Sequence, residues 1–405
     1  MRGFSGVWFF LLACSVFSQV KMSDLLEFPI SESEMGSVIA REEYLSSHKF
    51  NSPWLRELDF RIRPNDLETS ISDYRLRFGI LNPLEIKANR DYYNLLVRQQ
   101  SFERKRAIND VLRRRYELIL EGYYLMRSAE INEEHLRRLN QIRSFILEEA
   151  YDVGKVIALD EKITKQELTI IGIKRSINRL MPAYRSLGLD SLTTFPTDDW
   201  IPPEQLAEHV ALTVEGETLK SQIEQQQLER ETSMLQVNKA EAFSNLGFIQ
   251  AEYDTDRGDS RDEQVSFQVG VQIPIFNTDR PDNQRRELAL IEDQADYETL
   301  VEEEGEDRRA QVMLLADFIT EWRLLASKER SLQDYRDLLE EVGGEVEDYE
   351  RLASYRLFIQ DKRLRVHMDI YVRYINYLAD AGELSNQPYQ NFLVSSLATF
   401  ELNEG

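Results

Sequence analysis

Cysteine is almost missing: Cys14 is the only one in 405 residues, which excludes a disulfide framework and a cysteine-ligated metal. Glycine (17) and proline (11) are scarce and 30 % of residues are charged, the profile of extended helices rather than of one compact core. No segment beyond the N-terminal region approaches 18 uninterrupted apolar residues, which excludes a transmembrane helix. An exported chain of this kind that enters a membrane must do so by strands. Positive charge is also lacking. The net charge of -23 argues against a nucleic-acid partner, because phosphates would be repelled; it suits a solvated surface or a lumen that favours cations. Catalytic signatures are missing too. His48, His135, His209 and His367 stand far apart with no ligand spacing, and there is no phosphate-cradling glycine loop or nucleophile elbow. No enzyme, cofactor or bound metal is expected.

What is present begins with an alternating stretch, Val265 to Phe276. Val265, Phe267, Val269, Val271, Ile273 and Ile275 occupy every second position, with Ser266, Gln268, Gly270 and Gln272 between them. A strand sends successive side chains to opposite faces, so this segment has one apolar and one small, polar face. About ten such residues also match the length of a tilted strand crossing a bilayer; an ordinary half-buried strand of a soluble sheet has the same pattern. Two earlier runs alternate as strictly. Leu58-Asp59-Phe60-Arg61-Ile62-Arg63 and Tyr74-Arg75-Leu76-Arg77-Phe78-Gly79-Ile80 flank turn material at Pro64-Asn65-Asp66. Their arginines suit a wet barrel interior or an exposed sheet face.

At the N-terminus, Arg2 precedes the apolar run Val7–Phe17 and the small residue Ser18, which reads as a signal peptide over residues 1–18. Leu11-Leu12-Ala13-Cys14 also resembles a lipoprotein box. A mixed segment, 19–53, follows, with a short helix near Ser31 to Ser46. The next unit, 54–189, holds a strand pair (56–81) and a helical hairpin (88–188). Its first helix carries Leu112, Tyr116, Ile119, Tyr123 and Met126 at coiled-coil spacing. Residues 190–203 form a Thr-, Asp- and Pro-rich linker. A second unit, 204–382, has a helix (204–242), a strand pair (246–276) and another hairpin (282–382), whose seam is Val312, Leu315, Ile319, Trp322 and Ala326. The tail, 383–405, reads as loop with a weak apolar patch.

The two units align on each other. Phe78-Gly79-Ile80-Leu81-Asn82-Pro83 matches Val269-Gly270-Val271-Gln272-Ile273-Pro274, Gly154 falls on Gly344, and an acid lies six residues beyond each, Asp160 and Glu350. A block of strand pair, long helix, glycine turn and return helix therefore occurs twice. Taken alone, each glycine reads as a helix C-cap and each acid as a first-turn residue. Glu302 to Asp307 reads as a solvated acidic face or as lumen lining.

These residues resemble the TolC-like family of outer-membrane efflux proteins. The resemblance rests on V-G-V-Q-I-P-I-F-N at 269–277 and on the turns Y-D-V-G-K-V-I-A-L-D at 151–160 and V-G-G-E-V-E-D-Y-E at 342–350. The run at 273–283 looks more like the heavy-metal, CzcC-type branch. The second turn lacks the aromatic residue before its glycine, and the first strand pair lacks a long preceding helix, so one lane of the helical wall is expected to be short. The resemblance implies a mostly α fold with a small β part. It further implies a homotrimer whose 12-stranded β-barrel continues into a coiled-coil α-barrel. Phe78, Ile80, Phe267, Val269, Val271 and Ile273 would then face outer-membrane lipid. Gly154, Asp160, Gly344 and Glu350 would form the periplasmic tips, where an adaptor protein coupled to an inner-membrane pump docks and where repeated acids form a cation-selective ring. Such a channel is a passive exit duct for metal ions or small molecules. An exported periplasmic coiled-coil scaffold, or the duct of a type I secretion system, fits the same sequence.

Overall fold

The computed structural model describes residues 25–30, 32–48, 55–64, 72–80, 82–149, 153–188, 199–211, 217–242, 248–254, 264–270 and 280–402. The expected signal peptide, Cys14, Val271 and Ile273 lie outside them. The chain is mostly helical with a small sheet. Its elements run α1 (Glu32–Ser47), β1 (Leu55–Pro64), β2 (Ser72–Ile80), α2 (Pro83–Glu149), α3 (Val153–Ser186), α4 (Pro203–Ala211), α5 (Leu219–Ala242), β3 (Phe248–Asp254), β4 (Gln264–Gly270), α6 (Arg280–Val342) and α7 (Val346–Ala381). A short turn and a two-stranded ribbon, β5 (Tyr389–Gln390) and β6 (Thr399–Phe400), complete it.

α2 has 67 residues, about 100 Å of helix at 1.5 Å per residue. It begins at Pro83, earlier than the apolar spacing alone suggests. The Asn82 side-chain oxygen accepts the Leu84 N–H (3.0 Å), and proline at the first helical position loses no bond it would otherwise make.

Contacts between elements follow a simple order. β1 to β4 form one antiparallel sheet in chain order. Among the helices that adjoin the strands in sequence, α1 packs on α2, α2 on α5, and α5 on α6, the same order as β1 to β4 in the sheet. Away from the sheet the row becomes α3, α2, α7, α6. The return helices have displaced the short ones.

Between these halves lies the core. Tyr116, Tyr184, Tyr371 and Tyr374 are fully buried there. Tyr184 donates to the Leu118 carbonyl (2.7 Å) and Tyr371 to that of Ile201 (2.6 Å). Tyr116 donates to the Gln390 carbonyl (3.0 Å) and accepts the Phe392 N–H (3.1 Å). Burial raises the ionisation of all four above the ordinary tyrosine range, so they remain neutral donors. Arg115 is buried and donates to the carbonyls of Leu26 (2.8 Å) and Phe28 (2.5 Å), tying the N-terminal segment to α2.

The structure corrects two expectations. The helix expected over 204–242 is two helices, α4 and α5. Thr218 starts α5 as a new N-cap, its hydroxyl accepting the Ser221 N–H (2.9 Å). The tail is not a loop with a weak patch. Leu384, Tyr389, Phe392, Leu393 and Phe400 are buried in the main core, and Trp200 bridges to Val394. Its apolar residues are too irregularly spaced to signal an element, because they fill a surface built by distant helices.

Two outcomes follow. Leu393 is wholly buried, so Leu393→Ala should cost about 2–5 kcal/mol, read as a lower thermal midpoint in detergent. His367 stacks near Trp322 and meets Tyr371 edge-on at 4.9 Å; burial first, then Arg363, lowers its pKa to about 4. Above pH 6.5 the imidazole is neutral whether folded or unfolded. Between pH 6.5 and 4 only the unfolded chain takes the proton, so stability falls as pH falls, by about 3 kcal/mol in full. His367→Phe should lose less of its thermal midpoint than wild type between pH 7 and pH 4.

Candidate functional site

The sheet's register decides which side chains share a face. Leu58, Phe60 and Ile62 of β1 lie opposite Phe78, Leu76 and Tyr74 of β2. Those three lie opposite Ile249, Ala251 and Tyr253 of β3, and these opposite Val269, Phe267 and Val265 of β4. Directly opposite residues project to the same side, so alternation read in separate segments adds up to one continuous apolar face. Phe267 is 75 % and Val269 74 % exposed. Ile80 shares the parity of Phe78 and lies opposite Leu55.

The other face is polar and internally paired. Arg75 donates to Glu252 of the neighbouring strand (2.9 Å), and Arg61 to Asp59 (2.8 Å). Gln250 donates to Gln268 (3.4 Å). The Arg77 guanidinium lies 3.7 Å from the centre of the Phe248 ring. Phe248 is the residue that sequence reasoning missed. It pairs with Gly79 on one side and Gly270 on the other, and a Cβ at Gly270 would sit 2.5 Å from its ring. The two glycines of the repeated motif are thus neighbours of one aromatic side chain. The signal was there in the matching Gly79 and Gly270, but only the strand pairing shows what lies between them.

Both outer strands, β1 and β4, have one edge with no partner among the described residues. Among the described residues the sheet thus has one apolar face, one polar face and two open edges. In lipid, every backbone donor and acceptor needs a protein partner.

At the far end of the helices, α2 and α6 turn back into α3 and α7. Gly154 falls in the first turn of α3, not at the C-terminus of α2 as its isolated reading suggested. In the second turn the left-handed residue is Gly343 (φ 75°), rather than Gly344. The N–H groups of Gly343 and Gly344 both reach the Leu339 carbonyl (3.1 and 2.9 Å), and a Cβ on Gly344 would meet Leu339 at 2.8 Å. Tyr349 also closes on this turn, its hydroxyl donating to the same Leu339 carbonyl (3.3 Å).

Asp160 accepts from Arg143 across the first hairpin (2.6 Å). Glu350 is paired with Lys162 of the first hairpin, and Lys155 with Glu347 at 2.8 Å. Both acids singled out by the repeat therefore carry counter-charges within the chain, and the two tips are joined through ion pairs. Of the acidic run, Glu304 meets Thr218 and Lys220 (3.4 Å), while Glu302, Glu303, Glu306 and Asp307 are exposed. Among the described residues no three His, Cys, Asp or Glu side chains gather as a metal site, and no helix is long and apolar enough to cross a membrane.

No family model and no curated protein sequence matches this chain. Solved structures do. The chain is similar to the open-state MtrE outer-membrane channel of Neisseria gonorrhoeae, at 12 % identity over 92 % of this chain and 90 % of that one, with a TM-score of 0.64. It is similar to CusC, studied for the conformational changes of its folding and transmembrane channel formation, at 13 % identity over 89 % and 91 %, with a TM-score of 0.62. It is also similar to the outer-membrane protein VceC of Vibrio cholerae, at 13 % identity over 89 % and 95 %, with a TM-score of 0.56. The chain therefore has the fold of the TolC-like outer-membrane channels.

Proposed function

We propose that this chain is one protomer of a homotrimeric outer-membrane channel, the passive exit duct of a tripartite efflux system. The observation that carries the reading is the sheet: a continuous, exposed apolar face backed by a paired polar face, with both edges open. Four strands are too few to close a barrel around a wet interior; three copies supply twelve. The apolar face then meets lipid, and Arg61, Arg75, Arg77 and Glu252 line the lumen. Phe78, Ile80, Phe267 and Val269 lie in the lipid-facing set, and the alternation of the sequence adds Val271 and Ile273, which are outside the described residues.

The helices below continue the same lanes into a periplasmic tube, two repeats per chain and six per trimer. A periplasmic adaptor meets the tips at Gly154, Asp160, Gly344 and Glu350, and an inner-membrane pump supplies the energy. Metal ions or small molecules are the cargo. A soluble scaffold would need a cover for Phe267 and Val269, and the described residues of the chain supply none.

The test uses two neighbouring positions on one strand. Val269→Arg puts a charge on the apolar face, where it costs about 2–4 kcal/mol at the bilayer midplane; Gln268→Arg puts the same charge on the polar face. Outer-membrane fractions should hold strongly reduced amounts of the first variant and near wild-type amounts of the second. Equal recovery of both would refute the lipid-facing assignment.

A further inference from the structure

α7 ends where α5 begins. Gly382, the left-handed cap of α7 (φ 75°), lies so near Leu219 that a Cβ on it would meet that side chain at 3.2 Å. Both helices pack on α2 and on α6, so they occupy one lane end to end. The joint between them leaves an open cavity of about 480 Å³, walled by all four helices. That volume is in the range of small-molecule sites and well above what a single water or ion fills.

Its lining is short of donors. Asn109 of α2 is only 4 % exposed. Its amide nitrogen donates to the Ala379 carbonyl (2.8 Å), which settles the orientation of the amide and leaves Oδ1 buried with no donor. Gln311 of α6 lies within hydrogen-bond reach of Asp380, and its Oε1 is likewise buried with no donor. Both side chains line the cavity. Acceptors shielded from water are costly to leave unmet, so the pair calls for a ligand that donates.

Charge points the same way. Asp110, Glu224, Asp307 and Asp380 line the cavity, and none forms an ion pair among the described residues. The bases beside them are largely engaged. Arg113 pairs with Glu117 (3.1 Å) and Lys220 with Glu304 (3.4 Å), and Arg308 has a partner as well. That leaves the exposed Arg106 against four carboxylates. The C-terminal end of the 36-residue α7 favours a cation too. The N-terminal end of α5, which disfavours one, is already met by Glu304, the acceptor of the Thr218 hydroxyl.

We propose that this cavity binds an organic polyamine, one ammonium group donating to the buried Asn109 and Gln311 oxygens and the others set against the unpaired carboxylates. An ammonium carries donors only, so it meets the acceptors and the charge together. An anion meets the carboxylates instead, and no three ligating side chains gather here for a metal ion. All the residues belong to one chain, so the site does not depend on the ring.

Calorimetric titration of spermidine into the full-length protein in mild detergent tests it, at about 0.15 M salt to screen surface attraction. One saturable site per chain is expected. Asn109→Leu leaves the net charge unchanged and should weaken that site about tenfold or more, as should Asp380→Asn. Glu302→Gln combined with Glu303→Gln, exposed acids outside the cavity, should bind as wild type does. The absence of a saturable site overturns the proposal, as does wild-type binding by Asn109→Leu or equal weakening by the Glu302 and Glu303 changes. Displacement of spermidine by an equal concentration of Mg²⁺ also overturns it, in favour of a metal site. If Asn109→Leu does not fold, Gln311→Met, at a less buried position, takes its place with the same two outcomes.

Discussion

A strand in lipid must satisfy every backbone hydrogen bond through protein, and the proposed channel depends on this one constraint. The four-stranded sheet does this internally for β2 and β3 and leaves β1 and β4 with one open edge each. Its faces are already sorted for a bilayer on one side and water on the other. No other described residue pairs with these edges. In the proposed ring, the lane order of the helices and their narrow seams serve the repetition of this unit around an axis.

The helices follow the sheet's order in the chain: α1 precedes β1, α2 follows β2, α5 precedes β3 and α6 follows β4. Near the sheet, α1 and α5 fill alternate lanes; farther away, α3 and α7 take over the task of covering α2 and α6. The change of partners happens at the buried belt, where four tyrosines, Arg115, Trp200 and the tail are interlocked. Such a belt fixes how the two hairpins sit on each other, and ion pairs join their tips. Lys155 and Lys162 reach Glu347 and Glu350, and pairs this exposed contribute on the order of 1 kcal/mol or less each. Rigidity in the middle and weak coupling at the tip are thus built into the same pair of hairpins.

Much of this was legible in the sequence because its periods are local. The two-residue alternation in Tyr74–Ile80 and Val265–Gly270 gave both strands and faces, and the seams at Leu112–Tyr123 and Leu315–Trp322 gave the long helices. The short first lane was also visible, and α1 has 16 residues against 24 in α5. What was hidden depends on contacts between distant segments. Phe248 acquires its role only when β3 lies between Gly79 and Gly270. Leu393 and Phe400 are buried by helices hundreds of residues away. Arg143 and Lys162, which neutralise the two tip acids, belong to no motif. The start of α5 at Leu219 turned on a single capping threonine, Thr218.

The central claim is that the sheet is completed by other copies of itself. The most direct measurement is the mass of the intact particle extracted from outer membranes in mild detergent, with the bound detergent accounted for. The account predicts three chains per particle. A particle containing a single chain, stable and folded, would contradict it.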